Sequence, residues 1–229
     1  MNDPTRTRLD LLVRLVPLAG VGFAVTTAVG FLVMGKNPEP DASTSAITRY
    51  WGAHHAHVHI AAIMLAYGGV LFALFGTSIW ARIRGAAPHP LLQGTAMVGT
   101  AVAAAGLLAS AMTYFALGDI AAKSTTLPPT LQAIHVLGAE LSYPIAGGVE
   151  LLLLAVAAAG IAGRAFPRWL AWSALPIALL QLTTIGFAAF LLFLVWSAAA
   201  SVLLVVPPAA AAVGKSRPTA STPSLVESH

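Results

Sequence analysis

The chain has 229 residues, of which 58% are hydrophobic and only 9% charged, with a mean hydropathy of +0.82. Soluble domains carry about a quarter charged residues to cover a water-facing surface, so this composition excludes one and points to lipid as the solvent. The formal net charge of +4 does not point to nucleic acid, because the basic residues come singly or in twos at the ends of apolar stretches; the absence of cysteine excludes disulfides, thiolate zinc sites and a cysteine nucleophile.

A bilayer core of about 30 Å requires about 20 apolar residues per spanning helix. Six stretches meet that requirement, residues 12–34, 56–80, 91–117, 134–161, 169–186 and 188–210. The predicted fold is all-α, a polytopic membrane protein with six transmembrane helices in a single domain (1–213) and a disordered cytoplasmic tail (214–229). The first stretch is too long for a signal peptide, and the segment after it lacks a small-residue cleavage site, so it is read as a retained helix.

Between the first two spans, KNPEPDASTSAITRY opens with helix breakers and offers a Ser or Thr cap before Ile47. A short interfacial helix is expected there, with Tyr50 and Trp51 at headgroup level. The second span opens on HHAHVH, His54 to His59. Residues four apart share a helical face, so His55 and His59 project together, while His54 and His57 form a second pair on another side. Two imidazoles at that spacing chelate metals, and His135, at the mouth of the fourth span, makes a third candidate ligand beside Glu140. A haem held between His59 and His135 is a variant of the same idea, although no second histidine layer repeats deeper. A hydrated interfacial cluster is the simpler reading, and no cofactor is expected from it.

The third span contains scattered methionines and small residues, and Gly99 with Ala103 suits close helix packing in lipid. The loop after it ends in Pro128 and Pro129, which stop one element before the next begins. The fourth span holds two glutamates, Glu140 and Glu150. No Lys, Arg or His shares the depth of Glu150, so a neutral carboxylic acid donating a hydrogen bond to a neighbouring helix is expected. Tyr143, Gly147 and Glu150 fall on one helical stripe, which predicts an inward polar seam; Tyr67, Thr113, Tyr114 and Gln181 are candidate partners. Pro144 and Pro176 predict kinks. The ligand-binding candidates are thus Glu150, Glu140, Tyr143 and Tyr67, and the metal candidates His55, His59 and His135; no catalytic set, Walker loop or nucleophile elbow is present.

Orientation follows from the basic residues. Arg6, Arg8, Arg14, Arg82, Arg84, Arg164, Arg168, Lys215 and Arg217 fall in one set of alternate connections, against Lys36, Arg49 and Lys123 in the other. Both termini are therefore expected in the cytoplasm.

At residues 166–182 the chain reads FPRWLAWSALPIALLQL. The run Pro167 to Leu170, following one long apolar helix and opening the next, resembles a large uncharacterised bacterial family of small multipass membrane proteins, many of them actinobacterial. In that family the motif lies between the fourth and fifth helices, and the second helix is followed by a short basic loop like ARIRG (81–85) here. The resemblance implies architecture and carries no activity; HHAHVH lies outside the family's pattern. The expected function is that of a non-enzymatic binding or accessory protein of a bacterial cytoplasmic membrane, embedded in the lipid bilayer, with a small lipophilic ligand or another membrane protein as partner. A proton-coupled or small-molecule transporter using Glu150 and Glu140 is the first alternative, counted against by the lack of inverted repeats. A metal- or haem-binding redox protein is the second.

Overall fold

The computed structural model describes residues 13–86, 89–122, 128–163, 165–183 and 185–205; the expected tail (214–229) and the basic residues Arg6, Arg8, Lys123, Arg164, Lys215 and Arg217 lie outside them. Every secondary-structure element among the described residues is a helix. A short 3-10 turn at Val16–Leu18 leads into α1 (Ala19–Met34), followed by α2 (Thr44–Ala86), α3 (Pro90–Ala121), α4 (Pro128–Glu140), α5 (Ser142–Gly163), α6 (Arg168–Leu180) and α7 (Gly186–Val205). Among the described residues, five helical stretches are long and apolar enough to cross a membrane, with α4 and α5 together forming one of them. The protein is thus membrane-embedded by length and composition.

Three expected boundaries are corrected. The second span starts at Thr44 rather than residue 56, because the histidine run is polar but contains no helix breaker. Ser43 caps it, accepting from the backbone N–H of Ala46 at 3.4 Å through its hydroxyl. The fourth span starts at Pro128, where proline is well placed in a first turn, and breaks at Leu141, because Pro144 lacks an N–H and crowds the carbonyl one turn back. The fifth element ends at Leu180 rather than 186, leaving 13 residues, about 20 Å of helix. That is short of a bilayer crossing by the usual measure.

Packing follows small and apolar residues at near-heptad spacing. On α1 the buried residues are Gly20, Phe23, Thr27, Gly30 and Met34, a seam of alternating three- and four-residue steps. It faces α2, where a side chain on Gly30 would meet Ala61, Met64 and Leu65, and one on Gly20 would meet Phe75; the two helices are antiparallel. Phe23, Phe72 and Phe193 form the centre of the core, with ring centroids 5.0, 5.9 and 6.0 Å apart, tilted as aromatic quadrupoles prefer. Phe31 meets Phe187 edge-on at 5.7 Å, whereas Gly20 abuts Ser201. Helix α7 therefore runs antiparallel to α1, and the start of α1 shares one end of the bundle with the end of α7.

That end is the basic one. Arg82, near the end of α2, donates from Nε to the carbonyl of Ala165 at 3.0 Å, tying together the turns before α3 and before α6. Arg84 lies 5.3 Å over the Trp80 ring. At the opposite end, Met34 clusters with Ala61 and Leu65, so the first turns of α2 continue past the end of α1. They pack with α4 and the last turns of α3 into a helical cap whose core is Ile47, Trp51, Val58, Leu117 and Leu131.

Candidate functional site

The cap collects most of the histidines. Trp51 is fully buried within the cap, and its ring lies 5.6 Å from that of His135 and 6.0 Å from that of Tyr114. His135 is itself only 5% exposed. Neither Trp51 Nε1 nor His135 Nε2 has a hydrogen-bond partner among the described residues. His59 projects toward α3, where its Nε2 stands 3.0 Å from Asp119 Oδ1 and its ring packs on Phe115 at 4.6 Å. Gly118 makes room for this, since a Cβ there would lie 2.9 Å from His59 Nε2. His55 is exposed, with Nδ1 3.1 Å from the carbonyl of Gly52.

The expected metal set of His55, His59 and His135 is therefore not assembled. One imidazole faces outward, one is committed to Asp119, and one is buried against Trp51. Among the described residues no group of three or more His, Cys, Asp or Glu side chains stands close enough to hold a metal ion. The sequence pattern did not reveal Asp119 as the partner of His59, because the pair joins residues 60 positions apart. Trp51 as the centre of the cap was legible in principle from the spacing Ile47, Trp51, Val58, Leu65, which continues the α2 seam unbroken.

The expected inward seam on α5 is also corrected. Buried residues of α5 include Gly148, Val149, Leu152 and Leu153, so the inner face lies on that side. Tyr143 is 64% exposed and Tyr67 60% exposed. A side chain on Gly147 would meet nothing within 4 Å. The stripe of Tyr143, Gly147 and Glu150 thus runs along the flank of the bundle. Glu150 is half-buried there and has no hydrogen bond or ion pair among the described residues. It is absent from the side chains whose polar atoms are both buried and unpartnered, so its carboxyl remains reachable from outside the chain.

None of the other expected partners is hydrogen-bonded to Glu150 among the described residues. Thr113 Oγ1 donates to the carbonyl of Ala109 at 2.9 Å, Tyr114 packs on Trp51, and Gln181 is buried near the α6–α7 turn with its Nε2 unpartnered among the described residues. Glu140 is exposed at the end of α4. Beside Leu151, the residue after Glu150, an open apolar groove of about 520 Å³ runs along α3, lined also by Pro90, Leu91, Gly94, Thr95 and Val98.

No family model matches the chain, and no curated protein or solved structure matches it. The site therefore stands on its own chemistry.

Proposed function

We propose that the protein is a non-enzymatic accessory protein of a bacterial cytoplasmic membrane, which pairs with a transmembrane helix of another membrane protein along the α5 flank. The observation that carries this reading is Glu150, a carboxyl within a spanning helix with no partner among the described residues of its own chain. A polar group at that position is costly in lipid unless it is hydrogen-bonded, and a partner helix supplying a donor or acceptor removes the cost. Gly147, which leaves open space one turn earlier, permits close backbone approach, and the groove beside Leu151 accommodates apolar side chains of the incoming helix. An open flank suits a helix better than a small lipophilic ligand, which binds best when enclosed on most sides.

In this reading the chain crosses six times with both termini in the cytoplasm, α6 being a short crossing. The shared end of α1 and α7 supports an even number of crossings, and Arg14, Arg82, Arg84 and Arg168 at that end agree with a cytoplasmic side. The test is the size of the assembly extracted in mild detergent. Glu150→Leu is expected to insert and accumulate like the parent yet migrate at the mass of the single chain, with the parent migrating as a larger complex. Parent and variant migrating alike would count against the pairing.

A further inference from the structure

In the first turns of α2, His54 is held on two sides while its second ring nitrogen has no hydrogen-bond partner among the described residues. Its ring stacks on Tyr50 with centroids 4.5 Å apart and planes inclined by 23°. Its Nδ1 lies 2.9 Å from the carbonyl oxygen of Tyr50. A carbonyl only accepts, so Nδ1 is the donor in this contact, and in the neutral ring Nε2 then carries the in-plane lone pair. Tyr50 is in turn fixed, its hydroxyl 2.6 Å from the carbonyl oxygen of Met34 and 3.1 Å from Asn37 Oδ1. This is the arrangement that metal-binding histidines use, in which a hydrogen bond at one nitrogen sets the tautomer and the orientation of the other.

His57 stands one turn along the same face, exposed, with its ring centroid 6.2 Å from that of His54. Two imidazoles on one ion, each with a metal–nitrogen bond of about 2.0–2.1 Å, have centroids roughly 5 Å apart. A side-chain rotation of the exposed His57 covers the difference. The neighbouring pair at i, i+4 is less suited, because His59 already directs Nε2 at Asp119 across 3.0 Å.

We propose that His54 and His57 form a two-histidine site for a divalent transition-metal ion, zinc, copper or nickel, with water completing the coordination shell. Imidazole nitrogen suits these ions and disfavours magnesium and calcium. The site is distinct from the Glu150 flank and is independent of the proposed pairing. It also differs from a set built on His55, His59 and His135.

The experiment is a calorimetric titration of Zn²⁺ into the full-length, untagged protein in lipid nanodiscs, repeated with single variants. One saturable site per chain is expected, with His54→Gln and His57→Gln each weakening it by about tenfold or more, and Tyr50→Leu weakening it as well by removing the stacked support. His55→Gln and His59→Gln are expected to bind like the parent. Electron paramagnetic resonance of Cu²⁺ in the parent should show two equatorial imidazole nitrogens, falling to one in either of the first two variants. The absence of saturable binding, parent-like affinity in His54→Gln and His57→Gln, or equal weakening across all four histidine variants would overturn the assignment. The four histidines are exposed or partly exposed, whereas Tyr50 also anchors the end of α1 through its hydroxyl; thermal midpoints measured on every variant separate lost metal binding from lost folding.

Discussion

Gly99 of α3 and Gly148 of α5 meet so closely that a Cβ on Gly99 would lie 2.7 Å from the carbonyl oxygen of Gly148. In lipid, helices are held together by such close dispersion contacts and not by exclusion of water. A side chain at position 148 would also run into the backbone of Ala103. Gly148→Leu is therefore expected to destabilise the bundle by about 1–3 kcal/mol through overpacking, seen as a lower thermal midpoint of the purified protein. Gly147→Ala, one residue away and facing open space, is expected to leave the midpoint unchanged or slightly raised, since alanine is the better helix former. Equal losses at both positions would contradict the crossing.

The cap separates apolar burial from surface charge. Trp51 is fully buried at its centre, and Trp51→Ala is expected to cost about 3–5 kcal/mol. His59 Nε2 stands 3.0 Å from Asp119 Oδ1, with side chains 27% and 57% exposed, and even a fully charged pair in that setting contributes about 1 kcal/mol or less. Asp119→Ala should accordingly shift the thermal midpoint little, and less still at high salt. Thermal unfolding of the two variants side by side checks the ranking, and the opposite order would mean that the cap is held by its charges.

Orientation is open to cysteine labelling, convenient in a chain with no native cysteine. Gly85, at the basic end, and Gly52, in the first turns of α2 at the opposite end, are both exposed with nothing within 4 Å of a Cβ. Gly52→Cys is expected to react with a membrane-impermeant thiol reagent applied to intact cells, and Gly85→Cys to react only after permeabilisation. Labelling of Gly85→Cys from outside would reverse the assigned sides.

The helical class and the five stretches long and apolar enough to span were legible in the sequence because lipid imposes long apolar runs, and the grouping of Arg14, Arg82, Arg84 and Arg168 was legible because they fall in alternate connections. What was not legible came from two physical causes. Hydropathy ends a span where polar residues begin, so the outer turns of α2 were missed even though the seam from Ile47 to Ile83 continues through the histidines. Helix rotation in a membrane is set by packing against neighbours, not by burial of the more apolar face. The stripe of Tyr143, Gly147 and Glu150 was correctly placed on one side of its helix, but its direction depended on Gly148 choosing Gly99 as a neighbour, a contact between residues far apart in the chain.

The central claim, that the α5 flank around Glu150 receives a partner helix, is tested most directly by photo-crosslinking in native membranes. A photoreactive phenylalanine analogue replaces Tyr143, an exposed aromatic residue on the same stripe as Glu150, or Val195, an exposed residue of α7. The account predicts a discrete protein adduct from position 143 that is lost when Glu150→Leu is added, and lipid adducts alone from position 195. Lipid adducts alone from both positions, or a protein adduct at 143 that persists without the carboxyl, would contradict it.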